Sequence, residues 1–149
     1  GEGNLRVKGS FAFRQEQPIA TPAPVFWFVD TVGNPLKLRL AMHLSWSFKG
    51  WTVLTTVNHT GAYQDPGSMP ARSVDSWTTV DLNLGYRLDG GQGWLAGTQC
   101  NFGVNNLFDQ SPPFVNQFDL QSGNLGYDAA NASLLGRQVS LQIVKQWRQ

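Results

Sequence analysis

The sequence predicts an all-β fold made of antiparallel, up-and-down strands. In six segments apolar residues recur at every second position, whereas the three- and four-residue spacing of an amphipathic helix is nearly absent. The clearest segment covers residues 36–48, where all seven even-numbered residues are apolar and Ala41 is the only apolar residue at an odd position. On a strand, this alternation places one face in an apolar medium and the other face in a polar one.

The six predicted strands are long, and the connections between them alternate between short and long. The strands contain nine to thirteen residues, more than the five or six that are usual in globular sheets. A tilted strand needs roughly 9–11 residues to cross a bilayer. Residues 49–50 and 87–93 form short connections, and the other connections are much longer. Short turns at one end and long loops at the other are typical of an outer-membrane β-barrel. The predicted strands are residues 5–13, 36–48, 51–63, 77–86, 94–104 and 138–147.

Aromatic residues cluster at the predicted strand ends. One set flanks the short turns or ends the last strand, and we expect it to form part of an interfacial girdle. A second set near the long loops is a candidate for the opposite girdle. An alternative interpretation is that these side chains fill the core of a soluble β-sandwich. The first set is Trp46, Phe48, Trp51, Tyr86, Trp94 and Trp147, and the second set is Phe13, Tyr63 and Trp77.

Composition and charge exclude several classes of protein. The chain carries 11 Lys and Arg against 10 Asp and Glu, so it lacks the excess of positive charge that nucleic-acid binding requires. Charged residues make up only 14% of the chain, compared with about 25% in an ordinary soluble domain. The single cysteine, Cys100, excludes an internal disulfide framework and a cysteine-based zinc site. The longest apolar run is far shorter than the roughly 20 residues of a transmembrane helix.

An ordered set of short motifs occupies the C-terminal half of the chain. Residues 77–86 read W-T-T-V-D-L-N-L-G-Y, and residues 105–113 read N-N-L-F-D-Q-S-P-P. Residues 126–128 read G-Y-D, and residues 136–141 read G-R-Q-V-S-L. In this order and spacing, residues 77–147 resemble the C-terminal end of a TonB-dependent outer-membrane receptor. Residues 1–76 match mainly in the rhythm of strands and loops.

The resemblance implies that residues 1–149 are the C-terminal part of a receptor barrel in the bacterial outer membrane. They would supply about the last six strands of a 22-stranded transmembrane β-barrel. The family takes up iron-siderophores, cobalamin or oligosaccharides, driven by TonB pulling on an N-terminal box. The plug domain and the TonB box are absent from these residues. The expected partners are therefore outer-membrane lipid and the remaining strands and plug of the same receptor, with TonB acting only through the missing N-terminal part.

Six strands cannot close a barrel of this type, because the smallest membrane barrels have eight. An open sheet would leave its first and last strands as unpaired edges. We therefore expect the chain to need the missing strands, another chain or detergent to be stable. Two alternatives remain open: a soluble β-sandwich carbohydrate-binding module that uses Trp27 and its neighbours as a platform, and a small closed barrel formed by several copies of this chain.

Several residues of the motif string have a predicted structural role. Asn106 and Asp109 carry short polar side chains that can satisfy backbone groups of a turn. Prolines have no amide donor, so strand pairing should stop at the Pro-Pro pair. Glycine permits an unusual backbone angle where the chain re-enters the sheet, just before Arg137. The predicted structural set is Asn106, Asp109, Pro112, Pro113, Gly136 and Arg137.

The candidate ligand-binding residues are three adjacent aromatics, Phe26, Trp27 and Phe28, in the first long loop. They could stack on a sugar or on an aromatic siderophore, or they could pack against neighbouring loops. A second candidate is a basic strip on the polar faces of the first two predicted strands. It could attract an anionic ligand, pair with acidic plug residues, or simply be solvated. The strip comprises Arg6, Lys8, Lys37 and Arg39.

No catalytic constellation is visible, so we predict that the chain is not an enzyme and needs no cofactor. His43 lies on the polar face of its predicted strand, and His59 lies near a strand end at the expected headgroup level. Two histidines without cysteines or carboxylates at ligand spacing give no case for a metal site. Cys100 alternates onto the apolar face, where a small apolar side chain is expected.

Overall fold

The structure is a computed structural model that describes residues 1–11, 16–17, 26–27, 29–88, 94–116, 118–119 and 123–147. Within these ranges, side chains are described except at residues 7, 9–11, 16–17, 26–27, 118–119 and 123–124. The described chain is all-β, without a helix, and so holds no helix with the length and hydropathy needed to cross a membrane. The strands are β1 (Glu2–Phe11), β2 (Glu16–Gln17), β3 (Phe26–Trp27), β4 (Leu38–Phe48), β5 (Trp51–Thr60), β6 (Tyr63–Asp65), β7 (Arg72–Val74), β8 (Trp77–Leu88), β9 (Thr98–Asn105), β10 (Phe118–Asp119), β11 (Gly123–Asn124) and β12 (Gln138–Lys145).

Six long strands form one antiparallel sheet in the order β1-β4-β5-β8-β9-β12. Each long strand pairs with the next long strand along the chain, so the sheet is an up-and-down meander, as predicted. Three two-stranded hairpins, β2–β3, β6–β7 and β10–β11, lie within the long connections. Strands β1 and β12 each pair on one side only, and the described chain does not close into a barrel.

The tight turn between β4 and β5 follows directly from its sequence. Lys49 and Gly50 have φ angles of 46° and 84°, which is the left-handed geometry that matches the twist of a two-residue hairpin. A Cβ on Gly50 would lie 2.6 Å from the carbonyl oxygen of Arg87. Glycine is therefore needed here for two reasons, the backbone angle and the close approach of Arg87 in the neighbouring strand β8.

Several predicted strand ends were wrong by a few residues. The third strand stops at Thr60, so Tyr63 belongs to a separate hairpin, and the last strand stops at Lys145, before Trp147. The fifth strand starts at Thr98, because residues 94–97 form a turn that contains Gly97 with a φ of 72°. Lys145 stabilises that turn by donating from its ammonium to the carbonyls of residues 94 and 96.

The strand register gives the sheet one continuous apolar face. A single row of opposed residues crosses all six strands, and its members are Leu5, Leu44, Thr55, Leu82, Val104 and Val139. Opposed residues point to the same side of a sheet, so the neighbouring rows extend the same face. Its side chains are exposed in the isolated chain: Leu44 has 51% of its surface accessible, and Leu141 has 69%. A β-sandwich would require a second sheet over this face, and the described residues supply none.

We call the opposite side of the sheet the polar face. It carries mainly hydroxyl, amide and charged side chains, as the sequence indicated, and its apolar exceptions are Ala41, Leu54, Trp77 and Val144. Its members include Asn4, Arg6, Lys8, Arg39, His43, Ser45, Thr56, Asn58, Asp81, Asn83, Gln99, Asn101 and Gln142.

The long connections pack together at one end of the sheet. We call their described parts, residues 29–37, 61–76, 106–116 and 125–137, the loop cap. The cap contains the hydrophobic core cluster of the described chain, and Val32 packs against that cluster. The core therefore lies beside the sheet end and not on the apolar face, where Val104 is the one buried apolar side chain among the described residues. The core residues are Leu36, Tyr63, Val74 and Val115.

Aromatic side chains gather at the opposite, short-turn end of the apolar face. The ring centroids of Trp51 and Tyr86 are 4.5 Å apart, and those of Trp46 and Phe48 are 5.9 Å apart. The Lys49 ammonium lies 5.1 Å from the Phe48 centroid. The structure thus brings four residues of the first predicted set together at one end of the sheet; their place at a membrane interface stays a prediction.

The remaining members of the first girdle lie beyond the strand ends. Trp94 and Trp147 are 81% and 80% exposed. Both adjoin Lys145, whose ammonium lies 5.3 Å from the Trp147 ring centroid. They extend the aromatic cluster to the next turn.

The predicted second girdle is wrong at two of its three positions. Tyr63 is only 3% exposed, because it belongs to the core of the loop cap. Trp77 is opposite Thr60, which is opposite Arg39, and this row belongs to the polar face. Phe13 lies outside the described residues.

Candidate functional site

The first predicted motif residue, Asn106, forms a clasp at the end of β9. Its φ angle is 51°, and its side chain is buried. The Asn106 side chain donates to the carbonyl oxygen of Gln110 and accepts from the Gln110 amide, both at 2.9 Å. An asparagine can adopt the left-handed conformation and satisfy both backbone groups at once. The predicted structural role of Asn106 is therefore visible in the geometry.

The clasp is joined to the preceding strand through Asp81, the aspartate of the W-T-T-V-D-L motif. One oxygen of Asp81 accepts a hydrogen bond from the Asn106 amide at 2.9 Å, and the other accepts from the Asn58 side chain at 3.2 Å. The Leu107 amide donates to the carbonyl oxygen of Val80 at 2.7 Å. Two motifs that are separate in the sequence thus form one hydrogen-bonded unit at the sheet end.

Asp109 links this unit to the start of β12. Its φ angle is 55°, and one carboxylate oxygen accepts from the Arg137 amide at 2.8 Å. The prediction for Gly136 was wrong in its reason, because its φ angle does not lie in the left-handed region. A Cβ on Gly136 would lie 2.8 Å from the same Asp109 oxygen. The glycine therefore allows a close approach, not an unusual backbone angle. Strand pairing has already ended at Asn105, before Pro112 and Pro113.

Asp128, from the G-Y-D motif, is the most buried polar side chain of the loop cap, with no exposed surface. Its carboxylate accepts from the Gly33 amide at 3.1 Å, the Ala130 amide at 3.1 Å and the Asn131 side chain at 2.8 Å. Asn131 also donates to the carbonyl oxygen of Asn34 at 3.1 Å. Asp128 thus ties the last long loop to the loop that precedes β4.

The phenol of Tyr63 adjoins this carboxylate. Burial raises the pKa of Tyr63 well above its ordinary value of 10.0, and the hydrogen-bonded, negatively charged Asp128 raises it further. The phenol therefore keeps its proton and acts as a donor.

Asp65 is the second buried carboxylate of the loop cap, with 3% of its surface exposed. It accepts from the amides of Gly67 and Asn116 at 3.0 and 2.9 Å, and from the Ser68 hydroxyl at 2.9 Å. Burial alone would raise the pKa of Asp65, but these donors outweigh it and hold the pKa below the ordinary 3.8. The bond to Asn116 joins the β6–β7 hairpin to the loop that follows β9.

Sequence reasoning did not single out Asp65, Asp128 or Asn131. The G-Y-D string contained Asp128, but nothing in the string indicated that its partner would be Gly33, 95 residues away. The sequence feature that could have indicated these residues is composition. Aspartate and asparagine occur in loops that also carry core residues, and each buried polar group there needs a hydrogen-bond partner.

The predicted aromatic ligand site falls mostly outside the described side chains. Phe26 and Trp27 form β3, which pairs with Glu16–Gln17 of β2. Their side chains are outside the described part of the structure, as is Phe28 altogether. A stacking role for these three aromatics stays a prediction.

The predicted basic strip is only partly assembled. Arg6 is opposite His43, Lys8 is opposite Ala41, and Arg39 is opposite Ser10, so all three cations lie on the polar face. Lys37 precedes β4 and lies in the loop cap, where its amide donates to Asp30 at 3.1 Å.

The two histidines lie on opposite faces of the sheet, each hydrogen bonded to a threonine. His43 lies 3.1 Å from the Thr56 hydroxyl, and His59 lies 2.9 Å from the Thr78 hydroxyl. Among the described residues, no three histidine, cysteine or carboxylate side chains lie close enough to hold a metal ion. Cys100 is opposite Tyr86 and Ile143, so the register places it on the apolar face, as predicted.

Comparison with known proteins finds no relative: no family profile, no curated protein and no solved structure matches the chain. Any functional assignment therefore rests on the motif string and on the geometry of the sheet and loop cap.

Proposed function

We propose that the chain is a wall segment of a bacterial outer-membrane receptor that takes up its ligand in a TonB-dependent manner. The observation that carries the proposal is the apolar face, which extends across all six strands and leaves side chains such as Leu44 and Leu141 exposed in the chain by itself. A soluble monomer rarely leaves so large a contiguous apolar surface uncovered. In a membrane barrel, the apolar face would contact lipid and the polar face would contact a hydrated lumen, so each set of alternating side chains would be in a suitable medium.

Three further observations support the same assignment. The aromatic cluster and its lysines lie at the short-turn end, where an interfacial girdle would be. The long loops pack into a cap at the other end, as ligand-capturing loops would. The motif string resembles the C-terminal end of TonB-dependent receptors, and its aspartate and asparagine, Asp81 and Asn106, meet in one hydrogen-bonded unit.

In such a receptor, this chain would contribute part of the barrel and three outer loops. Ligand capture would take place at the loops, and rearrangement of a plug driven by TonB would open the lumen. The open edges of β1 and β12 would pair with the remaining strands. The ligand classes that fit are an iron-siderophore, cobalamin or an oligosaccharide.

The single natural cysteine provides a direct test of the lipid-facing surface. Cys100 lies on the apolar face and the next residue, Asn101, lies on the polar face. With the chain reconstituted in phosphatidylcholine vesicles, a membrane-impermeant maleimide should fail to label Cys100. The matched control is the double substitution Cys100→Ser with Asn101→Cys, which should be labelled. Equal labelling of both thiols in vesicles would contradict the proposal, provided that both react fully in denaturant.

A genetic experiment tests the uptake step separately. In the source bacterium, deletion of the coding gene should abolish growth that depends on one of the three ligand classes. A TonB-deficient strain should show the same loss. Unchanged growth on all three classes, or a loss that does not depend on TonB, would contradict the transport role.

A further inference from the structure

Three cations meet in one corner of the polar face, next to the loop cap. Lys8 is opposite Ala41, and Arg39 is two residues from Ala41, so Lys8 and Arg39 are diagonal neighbours across β1 and β4. Arg6 lies two residues before Lys8 on the same face. Within the described chain, none of the three has an ion-pair partner. Like charges at this spacing repel one another unless an anion lies between them.

The same corner contains a buried donor that has no acceptor. Trp77 shares a register row with Thr60 and Arg39. Its indole nitrogen is buried, and no hydrogen-bond partner exists for it among the described residues. A buried donor in that state is costly, but the nitrogen has essentially no accessible surface, so it is closed to a ligand in this conformation.

A concavity of about 450 Å³ is lined by Lys8 and Arg39, whereas Arg6 lies outside it. The carboxylate of Asp81 on the polar face already accepts from Asn58 and from the Asn106 amide. The side-chain amide of Asn131 already donates within the loop cap, so the positive charge at the concavity comes from Lys8 and Arg39. The lining residues that matter here are Lys8, Arg39, Asn58, Thr60, Trp77 and Asn131.

We propose that this concavity binds the anionic oxygens of a small-molecule ligand, as a carboxylate or phosphate group, through Lys8 and Arg39. Arginine and lysine form strong charge-assisted hydrogen bonds with such groups. The inference rests on the proposed function in one respect, namely that the polar face lines a hydrated lumen below ligand-capturing loops. It then narrows the ligand to one that carries negative charge.

The test uses citrate and inorganic phosphate as probes, by isothermal titration calorimetry at an ionic strength of about 0.15 M, where the Debye length is about 8 Å. The chain is reconstituted in zwitterionic phosphatidylcholine vesicles. Citrate should bind, and Lys8→Gln with Arg39→Gln should raise its Kd by about tenfold or more, since two charge-assisted contacts are lost.

A control variant carries the same net charge as the double variant. Lys49→Gln with Arg72→Gln removes two cations from the short-turn end and from the β6–β7 hairpin. It should change the citrate Kd by less than about twofold, since exposed charges at that distance are screened. Equal weakening in the control and in the double variant would show diffuse attraction and would overturn the proposal.

Protection of Cys100, measured on the same vesicles, separates this inference from the proposed function. If Cys100 is protected and neither citrate nor phosphate binds, the anion site is refuted while the membrane assignment stands. If Cys100 is labelled as it is in buffer, the membrane assignment itself fails.

Discussion

The six-stranded sheet and the loop cap differ in where they place their apolar residues. On β4, the apolar Leu44 is 51% exposed, and the neighbouring Ser45 is half-buried. In the loop cap, Val115 and Tyr63 are buried at 0% and 3% exposure. The cap has a small apolar interior, although Met69, Phe108 and Leu135 on its outside are exposed, whereas the sheet carries its apolar side chains on one outer face. One chain thus carries two regions that suit different surroundings.

The two regions also differ in what holds them together. The sheet depends on its backbone ladder and on the Lys49–Gly50 turn, and Val104 is the one apolar side chain that is buried on its apolar face among the described residues. The cap depends on a small core and on two buried carboxylates, Asp65 and Asp128, each with at least three donors. The cap is therefore stabilised by contacts within itself, whereas the sheet needs an apolar medium or a partner to cover its apolar face.

The largest effect is expected from placing a charge on the apolar face. With the chain folded in lipid vesicles, Leu44→Arg should lower the free energy of unfolding by about 2–4 kcal/mol, because arginine is costly near the centre of the bilayer. Ser45→Arg is the matched control on the polar face one residue away and should have little effect. Urea titration of the vesicle-bound chain measures both.

This pair of variants tests whether the sheet, unlike the loop cap, needs an apolar medium on one face. If the apolar face is instead exposed to water, Leu44→Arg will not destabilise the chain more than Ser45→Arg. In detergent-free buffer it would then reduce aggregation, since it interrupts an exposed apolar surface.

A smaller effect, confined to the loop cap, is expected from Asp128→Ala. The amides of Gly33 and Ala130 and the Asn131 side chain would lose their acceptor while still buried, at a cost of about 1–3 kcal/mol. Hydrogen exchange of the Gly33 and Ala130 amides should accelerate by a factor of roughly 10 to 100. Exchange in the middle of β8 should not change, because the sheet does not depend on this carboxylate.

Asp128→Asn serves as the conservative control for that prediction. It retains one acceptor oxygen and nearly the same shape, so cap exchange should lie between that of the natural chain and that of Asp128→Ala. Acceleration that spreads equally to β8 would show that the cap and the sheet unfold as one unit, which would remove the distinction between them.

The sheet could be predicted from the sequence because its determinants are local. Alternation with period two, the Lys49–Gly50 turn and the long connections specified the six strands and their order, and the structure confirms both. The errors occurred where the chain leaves the sheet. Tyr63 fits the parity of the apolar face, yet β5 ends at Thr60 and the Gly61 amide bonds to the carbonyl oxygen of Leu38. The odd-even alternation no longer indicates which face a residue lies on once the strand has ended.

The loop cap could not be predicted because its contacts are distant in the chain. Leu36, Val74 and Val115 meet in one core although each lies in a different long connection. Asp65 and Asn116 are 51 residues apart, and no local pattern indicates their hydrogen bond. Gly136 shows the same limit, because the reason for glycine is the nearby Asp109 and not its own backbone angle.

The smallest expected effect is a pH dependence that belongs to the cap alone. The pKa of Asp65 is lower in the folded cap than the ordinary 3.8. Asp65 therefore contributes stability that is fully present above pH 3.8 and is lost as the pH falls through the lower, folded value. Hydrogen exchange at Gly67 and Asn116, normalised to the intrinsic rate at each pH, should accelerate only below about pH 3.8.

Asp65→Asn isolates this contribution from the other carboxyl groups that titrate in the same range. Asparagine cannot ionise, so exchange at Gly67 should be faster than in the natural chain at neutral pH and should lose the part of the acid dependence that Asp65 causes. Exchange in β8 should follow the same pH course in both chains, because the carboxylate bonds only within the cap. If the natural chain and Asp65→Asn show the same acid dependence at Gly67, the carboxylate does not stabilise the cap through its charge. The two regions would then differ in packing but not in their response to protons.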